Sequence, residues 1–189
     1  METKLQLRKS ILNLRNNMSV GDVNEKSNKI INKLIDLEDY KKSKTIFVYM
    51  SFGKEVMTEN LIKLMLLEGK RVVIPYTDTK NTVLIPSEIE SLEKDLILNS
   101  FGYYEPEYEK IKAVEPEEFD LIVNPGVVFD KQLNRVGYGK GYYDRILARK
   151  RNDAKAIAIA YEFQVLDRIP TEQHDIKMDM IITEENIYK

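Results

Sequence analysis

The chain contains no cysteine and a single histidine, His174. Without cysteine there is no disulfide, no thiol nucleophile and no thiolate-bound zinc. One histidine rules out a histidine-rich metal site within one chain. A dominant charge is lacking as well, because 29 basic and 31 acidic residues leave a formal net charge of −2. No strong field favours nucleic acid or an anionic membrane, and neither is expected as a partner. There is no apolar run of bilayer-spanning length, and no secretory apolar core follows Met1, Glu2, Thr3 and Lys4. A cytoplasmic location is the expectation by default.

What the chain does have is an ordinary globular balance: 189 residues, 43 % hydrophobic and 32 % charged. Apolar residues fall in blocks, which argues against disorder. No repeat, low-complexity tract or linker interrupts them. The length suits one α/β domain over residues 1–189, opened by a helical pair at about residues 2–36.

Leu7, Ile11, Leu14 and Met18 recur at helical spacing, with Lys4, Arg8, Lys9 and Arg15 on the other faces. Ser19 to Asp22 breaks this helix, and Ile30, Ile31, Leu34 and Ile35 mark the next. Residues 45–50, 71–75, 120–124, 154–161 and 180–183 read as buried strands, and 82–86 as an edge strand ended by Pro86. Thr58 is expected to cap a helix closed by Gly69. Residues 87–118 yield no functional reading, with 101–106 an ordered loop. Continuous apolar strands alternating with helices predict a mostly parallel sheet covered on both faces, a three-layer αβα sandwich.

The strongest local signal runs from Asn134 to Arg145. Gly137, Gly139 and Gly141 stand at every second position, with Lys140 among them and Arg135 just before. Such a turn is either a tight structural turn or a cradle whose backbone N–H groups face phosphate. A helix starting just after it adds unpaired amides, and Lys140 favours the phosphate reading. Asp144, in the first helical turn, suits a Mg²⁺ shared with phosphate oxygens. The spacing matches neither the dinucleotide fingerprint nor the P-loop.

The stretch Asn124 to Asp130, followed by Arg135 to Arg145, closely resembles the hallmark of the 5-formyltetrahydrofolate cyclo-ligases, and the resemblance extends over essentially the whole chain. It implies the fold shared with ribose-5-phosphate isomerase and the CoA transferases, together with ATP, Mg²⁺ and a reduced folate, free or polyglutamylated. It implies an ATP site of Lys4, Arg8, Arg135, Gly137, Tyr138, Gly139, Lys140, Gly141, Tyr142 and Tyr143. Arg135, Lys140 and Asp144 are the expected catalytic set, and Asp144 with Asp175 the expected metal contacts. Glu55 is suited to accept hydrogen bonds from pterin N–H groups, and the resemblance implies that it does so with Met50 and Tyr142 lining the same pocket. Tyr142 and Tyr143 are equally readable as packing at a helix start, and His174 as a loop or capping residue.

The chain departs from its relatives at Met57, where Asp or Asn is usual, at Leu133, where glycine is frequent, and at Val136, where leucine is usual. The expected reaction activates the formyl oxygen by phosphorylation and closes the ring through folate N10. It is chemistry of positioning and charge neutralisation, which needs no protein nucleophile. A sugar-phosphate isomerase on the same scaffold and a non-catalytic nucleotide- or folate-binding module are the alternatives. A monomer is the expected state.

Overall fold

The computed structural model describes residues 2–100, 102–172 and 175–189. The expectations for Phe101 and His174 therefore lie outside the described residues. In chain order the helices and strands are α1 (Lys4–Asn16), α2 (Val20–Asp36), α3 (Glu38–Lys42), β1 (Thr45–Val48), α4 (Glu59–Leu67), β2 (Arg71–Asp78), β3 (Val83–Ile89), α5 (Leu92–Asp95), β4 (Leu96–Leu98), β5 (Tyr104–Pro106), β6 (Leu121–Asn124), β7 (Val128–Asp130), β8 (Arg135–Val136), α6 (Tyr142–Leu147), β9 (Lys155–Ile159), β10 (Val165–Leu166), β11 (Met180–Ile182) and β12 (Ile187–Tyr188).

The main sheet has the order β12-β11-β9-β6-β1-β2-β3. Its inner neighbours pair parallel, and β3 and β12 close the edges antiparallel. Strand alternation divides the core. Ile46, Val48, Val72, Ile74, Leu121 and Val123 face α2 and α4, where Ile30, Leu34, Leu61 and Met65 are buried. Phe47, Val73, Ile122, Ala156 and Ala158 face the opposite layer, where Ile146 and Leu147 of α6 pack with Phe119 and Phe129. The result is the expected three-layer sandwich, because strands buried on both faces need a covering layer on each. Among the described residues no helix is long and apolar enough to cross a membrane.

A smaller sheet, β10-β7-β8, stands beside the main one. Helix α1 lies on it, with Leu7 and Ile11 buried against Val127, Val128, Val136 and Ile169. Here the stripe expected on α1 needs correction. Leu14 is half exposed, and the third buried position is Arg15. A step of four from Ile11 stays on the buried face, whereas Leu14 turns toward solvent.

Two further expectations shift. Strand β3 does not end at Pro86 but runs to Ile89, with Pro86 in register opposite Pro75. An edge strand tolerates a missing N–H, and the parallel pairing of β1 with β2 stops at Val73, before Pro75. Thr58 precedes α4 but makes no capping bond. Its hydroxyl donates to the Tyr49 carbonyl at 2.7 Å and accepts from the Ser51 amide at 3.0 Å, tying the loop after β1 to itself. Ser19, by contrast, caps α2, accepting from the Asp22 amide.

Asp130 organises the turn before the glycines. Its buried carboxylate accepts from the amides of Gln132, Asn134 and Ile169 and from the Asn134 side chain. Leu133, the departure from the family's frequent glycine, has φ of 69°, the left-handed conformation that glycine adopts freely. Its amide donates to the Asp130 carbonyl, its carbonyl accepts from the Met178 amide, and its side chain packs on the second core layer.

Gly126 is a steric requirement. A Cβ there would stand 2.2 Å from Cζ of Phe129, whose ring is fully buried. Gly126→Ala should lower the unfolding free energy by about 1–3 kcal/mol through overpacking. A urea titration checks this, and an unchanged midpoint contradicts it.

Candidate active site

Ligand sites in open parallel sheets gather outside the carboxyl ends of the strands. Tyr49 and Met50 follow β1, Pro75 and Thr77 lie toward the end of β2, and Pro125 follows β6. All five line cavities at that end of the sheet. The antiparallel pair β7 and β8 then delivers the glycine turn to the same place.

In the turn Gly139 and Gly141 have φ of 97° and 65°, a conformation in which side chains are strained. Helix α6 follows directly, without a side-chain cap. It is only six residues long, so its dipole is modest, and the positive field comes mainly from side chains. Arg8 of α1 donates from Nε to the Gly137 carbonyl at 2.6 Å, which docks α1 onto the turn. Lys4, one helical turn earlier, pairs with Asp175 at 2.7 Å and with Glu172 at 3.2 Å. Burial works against the Lys4 charge, but the hydrogen bonds to these carboxylates outweigh it and raise its pKa. Buried Arg135 donates from Nη2 to Asp144 at 2.8 Å, and its Nε finds no partner among the described residues. Lys140 is exposed, and its ammonium has no carboxylate or carbonyl partner among the described residues.

These groups surround a cavity of about 250 Å³ lined by Lys4, Arg8, Arg135, the turn from Gly137 to Gly141, Tyr142, Tyr143, Asp144 and Asp175. Every residue expected at the nucleotide or metal site is there. Asp144 and Asp175 each carry a cation already, and the described residues hold no cluster of three or more metal-ligating side chains.

A second cavity of about 230 Å³ adjoins the first and contains Met50, Glu55 and Tyr142 as expected. It is otherwise largely aromatic, with Tyr49, Phe52, Tyr103 and Tyr104. Pro125, Tyr138, Lys140, Tyr142 and Tyr143 line both cavities and form their common wall. Glu55 is buried and accepts from the Tyr138 hydroxyl at 2.5 Å and from the Phe52 amide at 3.2 Å. Nη1 of buried Arg15 stands 3.9 Å from the same carboxylate oxygen that Tyr138 occupies. Burial raises the Glu55 carboxyl above its usual range, against the Arg15 charge and the two hydrogen bonds. Tyr138 and Tyr143 are pushed upward, first by burial and then by the Glu55 charge, so both remain neutral phenols.

Sequence reasoning missed several members of the site. Arg15 lies seven residues beyond Arg8 on one face of α1, and that spacing was a usable signal. Tyr103 and Tyr104 come from the stretch without a functional reading. The ordered loop expected at 101–106 is in part strand, because Tyr104–Pro106 forms β5, paired antiparallel with β4. Arg145 donates to the carbonyls of Thr82 and Lys140 and lies over the Tyr142 ring, pinning the glycine turn to the β2–β3 connection. No sequence pattern marks that long-range contact.

The model of the 5-formyltetrahydrofolate cyclo-ligase family matches residues 1–184. The mouse 5-formyltetrahydrofolate cyclo-ligase is 33 % identical, the alignment covering 82 % of this chain and 80 % of the mouse protein. The NMR structure of Aquifex aeolicus 5,10-methenyltetrahydrofolate synthetase superposes with a TM-score of 0.86 at 34 % identity, covering 98 % of this chain and 92 % of the other. A 5,10-methenyltetrahydrofolate synthetase from Mycoplasma pneumoniae gives a TM-score of 0.78 at 29 % identity, with 97 % and 99 % covered.

The Glu55 environment makes a prediction about stability. Its folded-state pKa lies above the ordinary 4.5, so between the two values the native state binds more protons than the unfolded chain. Its contribution is most favourable at low pH and declines as pH rises through the folded value. Gln cannot titrate, so the stability of Glu55→Gln minus that of the parent should grow with pH over that window. Thermal melts of both proteins at a series of pH values test this, and a pH-independent difference contradicts it.

Proposed function

The chain belongs to the 5-formyltetrahydrofolate cyclo-ligase family, and we propose that its adjoining cavities hold the two substrates of that family's reaction, ATP and 5-formyltetrahydrofolate. That reaction is the ATP-dependent conversion of 5-formyltetrahydrofolate to 5,10-methenyltetrahydrofolate. The observation that carries the assignment is the shared wall. Tyr138, Lys140, Tyr142 and Tyr143 border a cationic cavity on one side and an aromatic one with a buried acid on the other. Polyphosphate suits the first, and a flat heterocycle with several N–H donors suits the second.

A formamide carbon is a weak electrophile, because its nitrogen feeds electron density into the carbonyl. Transfer of the γ-phosphoryl group to the formyl oxygen converts that oxygen into a leaving group. Folate N10 then attacks the formyl carbon, the C–O bond breaks, and phosphate departs with the former formyl oxygen. N10 gives up its proton, and the products are 5,10-methenyltetrahydrofolate, ADP and phosphate. No side chain forms a covalent bond in this sequence, in keeping with the absence of cysteine. Lys4, Arg8, Arg135 and Lys140 neutralise phosphate charge, and the turn amides from Gly137 to Gly141 orient the phosphates. Lys140, with no carboxylate or carbonyl partner among the described residues, is the cation at the common wall placed to follow the transferred group. Glu55 orients the pterin, with Met50 and Tyr142 against it.

The donor set also fits Mg²⁺ held jointly with a triphosphate, since Mg²⁺ commonly takes one or two carboxylates and completes its shell with phosphate and water. Asp144 and Asp175 are the residues that would hold it, and its charge would offset that developing on the phosphoryl oxygens.

Absorbance of the methenyl chromophore after mixing protein with 5-formyltetrahydrofolate tests the assignment. The signal should grow only when Mg-ATP is present, and a flat trace from folded protein contradicts the proposal. Asp144→Asn should lower kcat by at least about a hundredfold while keeping the parent circular dichroism. Near-parent turnover removes the metal role of Asp144.

A further inference from the structure

Arg15 takes no part in the chemistry described above, yet it is a buried cation in the middle of α1. Its Nη2 donates to the Tyr138 hydroxyl at 2.6 Å, and its Nη1 stands 3.9 Å from Glu55. Its Nε is buried without a partner among the described residues. The other buried residues of α1 are apolar, Leu7 and Ile11. An apolar side chain at position 15 would avoid the desolvation cost that a buried ion pair carries. The guanidinium is therefore better understood through what it does to Glu55 than as a stabilising contact.

The groups that face Glu55 come from every side. Tyr138 approaches from the glycine turn, Tyr49 from the end of β1 and Tyr143 from α6. Tyr161 follows β9 and donates to the Glu55 carbonyl at 3.1 Å. All four phenols are raised, chiefly by burial, and are neutral. The cation that faces the carboxylate is Arg15. Tyr138 holds the carboxylate by a single hydroxyl, a contact that an incoming N–H donor can replace. Arg15 acts across the remaining 3.9 Å gap by charge, which needs no hydrogen bond to Tyr138.

We propose that Arg15 is a positioning residue for the folate cavity, holding Glu55 as an inward-facing carboxylate so that it accepts hydrogen bonds from the pterin. The proposal rests on the reading that Glu55 is the pterin acceptor. It ties the two cavities to one helix, because α1 also presents Lys4 and Arg8 to the phosphate side.

The test is equilibrium binding of 5-formyltetrahydrofolate, without ATP, as a function of pH. In the parent, affinity falls as pH is lowered through the Glu55 midpoint. Arg15→Met removes the charge at similar length, and the midpoint moves up by at least about one pH unit. Arg15→Lys keeps the charge, and the midpoint stays within about half a unit of the parent. Glu55→Gln abolishes the midpoint and weakens binding by about tenfold or more, and it supplies the baseline for the ligand's own titration. If Arg15→Met weakens binding without moving the midpoint, Arg15 merely packs and the proposal is overturned. Should that variant fail to fold, a midpoint in Arg15→Lys displaced by a unit or more overturns it equally. If Glu55→Gln binds like the parent, the pterin assignment itself fails, an outcome distinct from failure of the Arg15 role.

Discussion

Leu7 and Ile11 are buried against Val127, Val128 and Val136, and this apolar contact decides where the cations of α1 go. Burying each such side chain contributes on the order of 1.5–3 kcal/mol, enough for two residues to seat the helix. Once they are seated, helical geometry leaves no freedom. Lys4 and Arg8 reach the cationic cavity, and Arg15 reaches the acid of the aromatic one. A helix that by pattern is an ordinary amphipathic opener thus supplies charge to both halves of the site. The Arg8 bond to the Gly137 carbonyl adds a polar lock between the helix and the turn.

The turn itself is held from three sides. Asp130 fixes the backbone before it, Arg145 ties the backbone within it to the β2–β3 connection, and α1 lies over it. Such bracing suits a reaction that uses no protein nucleophile, because catalysis by placement fails when the donors can drift. Two of the cations are paired within the protein. Asp175 occupies Lys4 and Asp144 occupies Arg135. These carboxylates limit the repulsion among the clustered cations. Arg8 is held by the Gly137 carbonyl, whereas Lys140 has neither a carboxylate nor a carbonyl partner among the described residues and lies where the two cavities meet.

Much of this was legible in the residues. The buried strands are continuous apolar runs, so the parallel sheet and its two covering layers follow from hydrophobic pattern. The glycine turn announced itself by spacing and by Lys140. The resemblance to the cyclo-ligases then pointed to Lys4, Arg8, Glu55 and Asp175, all of which line the two cavities. What escaped was decided by tertiary contact. The spacing of Arg15 from Arg8 hints at a shared face, but its burial is fixed only by the packing that also buries Ile11. Thr58 has the composition of a helix cap, but the backbone around Ser51 competes for its hydroxyl. Tyr103 and Tyr104 sit in a stretch of mixed polarity, where neither helical nor strand periodicity accumulates. Arg145 meets Thr82 across 63 positions of sequence, a contact that no local pattern encodes.

On the proposed function, the common wall brings the terminal phosphoryl group of ATP onto the formyl oxygen. Synthesising 5-formyltetrahydrofolate with ¹⁸O in the formyl group and analysing the released phosphate by mass spectrometry tests it most directly. Transfer through that oxygen predicts that each turnover places the label in inorganic phosphate. Phosphate free of ¹⁸O, with the label recovered in water, would contradict it and would mean that ATP hydrolysis drives ring closure by some route other than phosphorylation of the substrate.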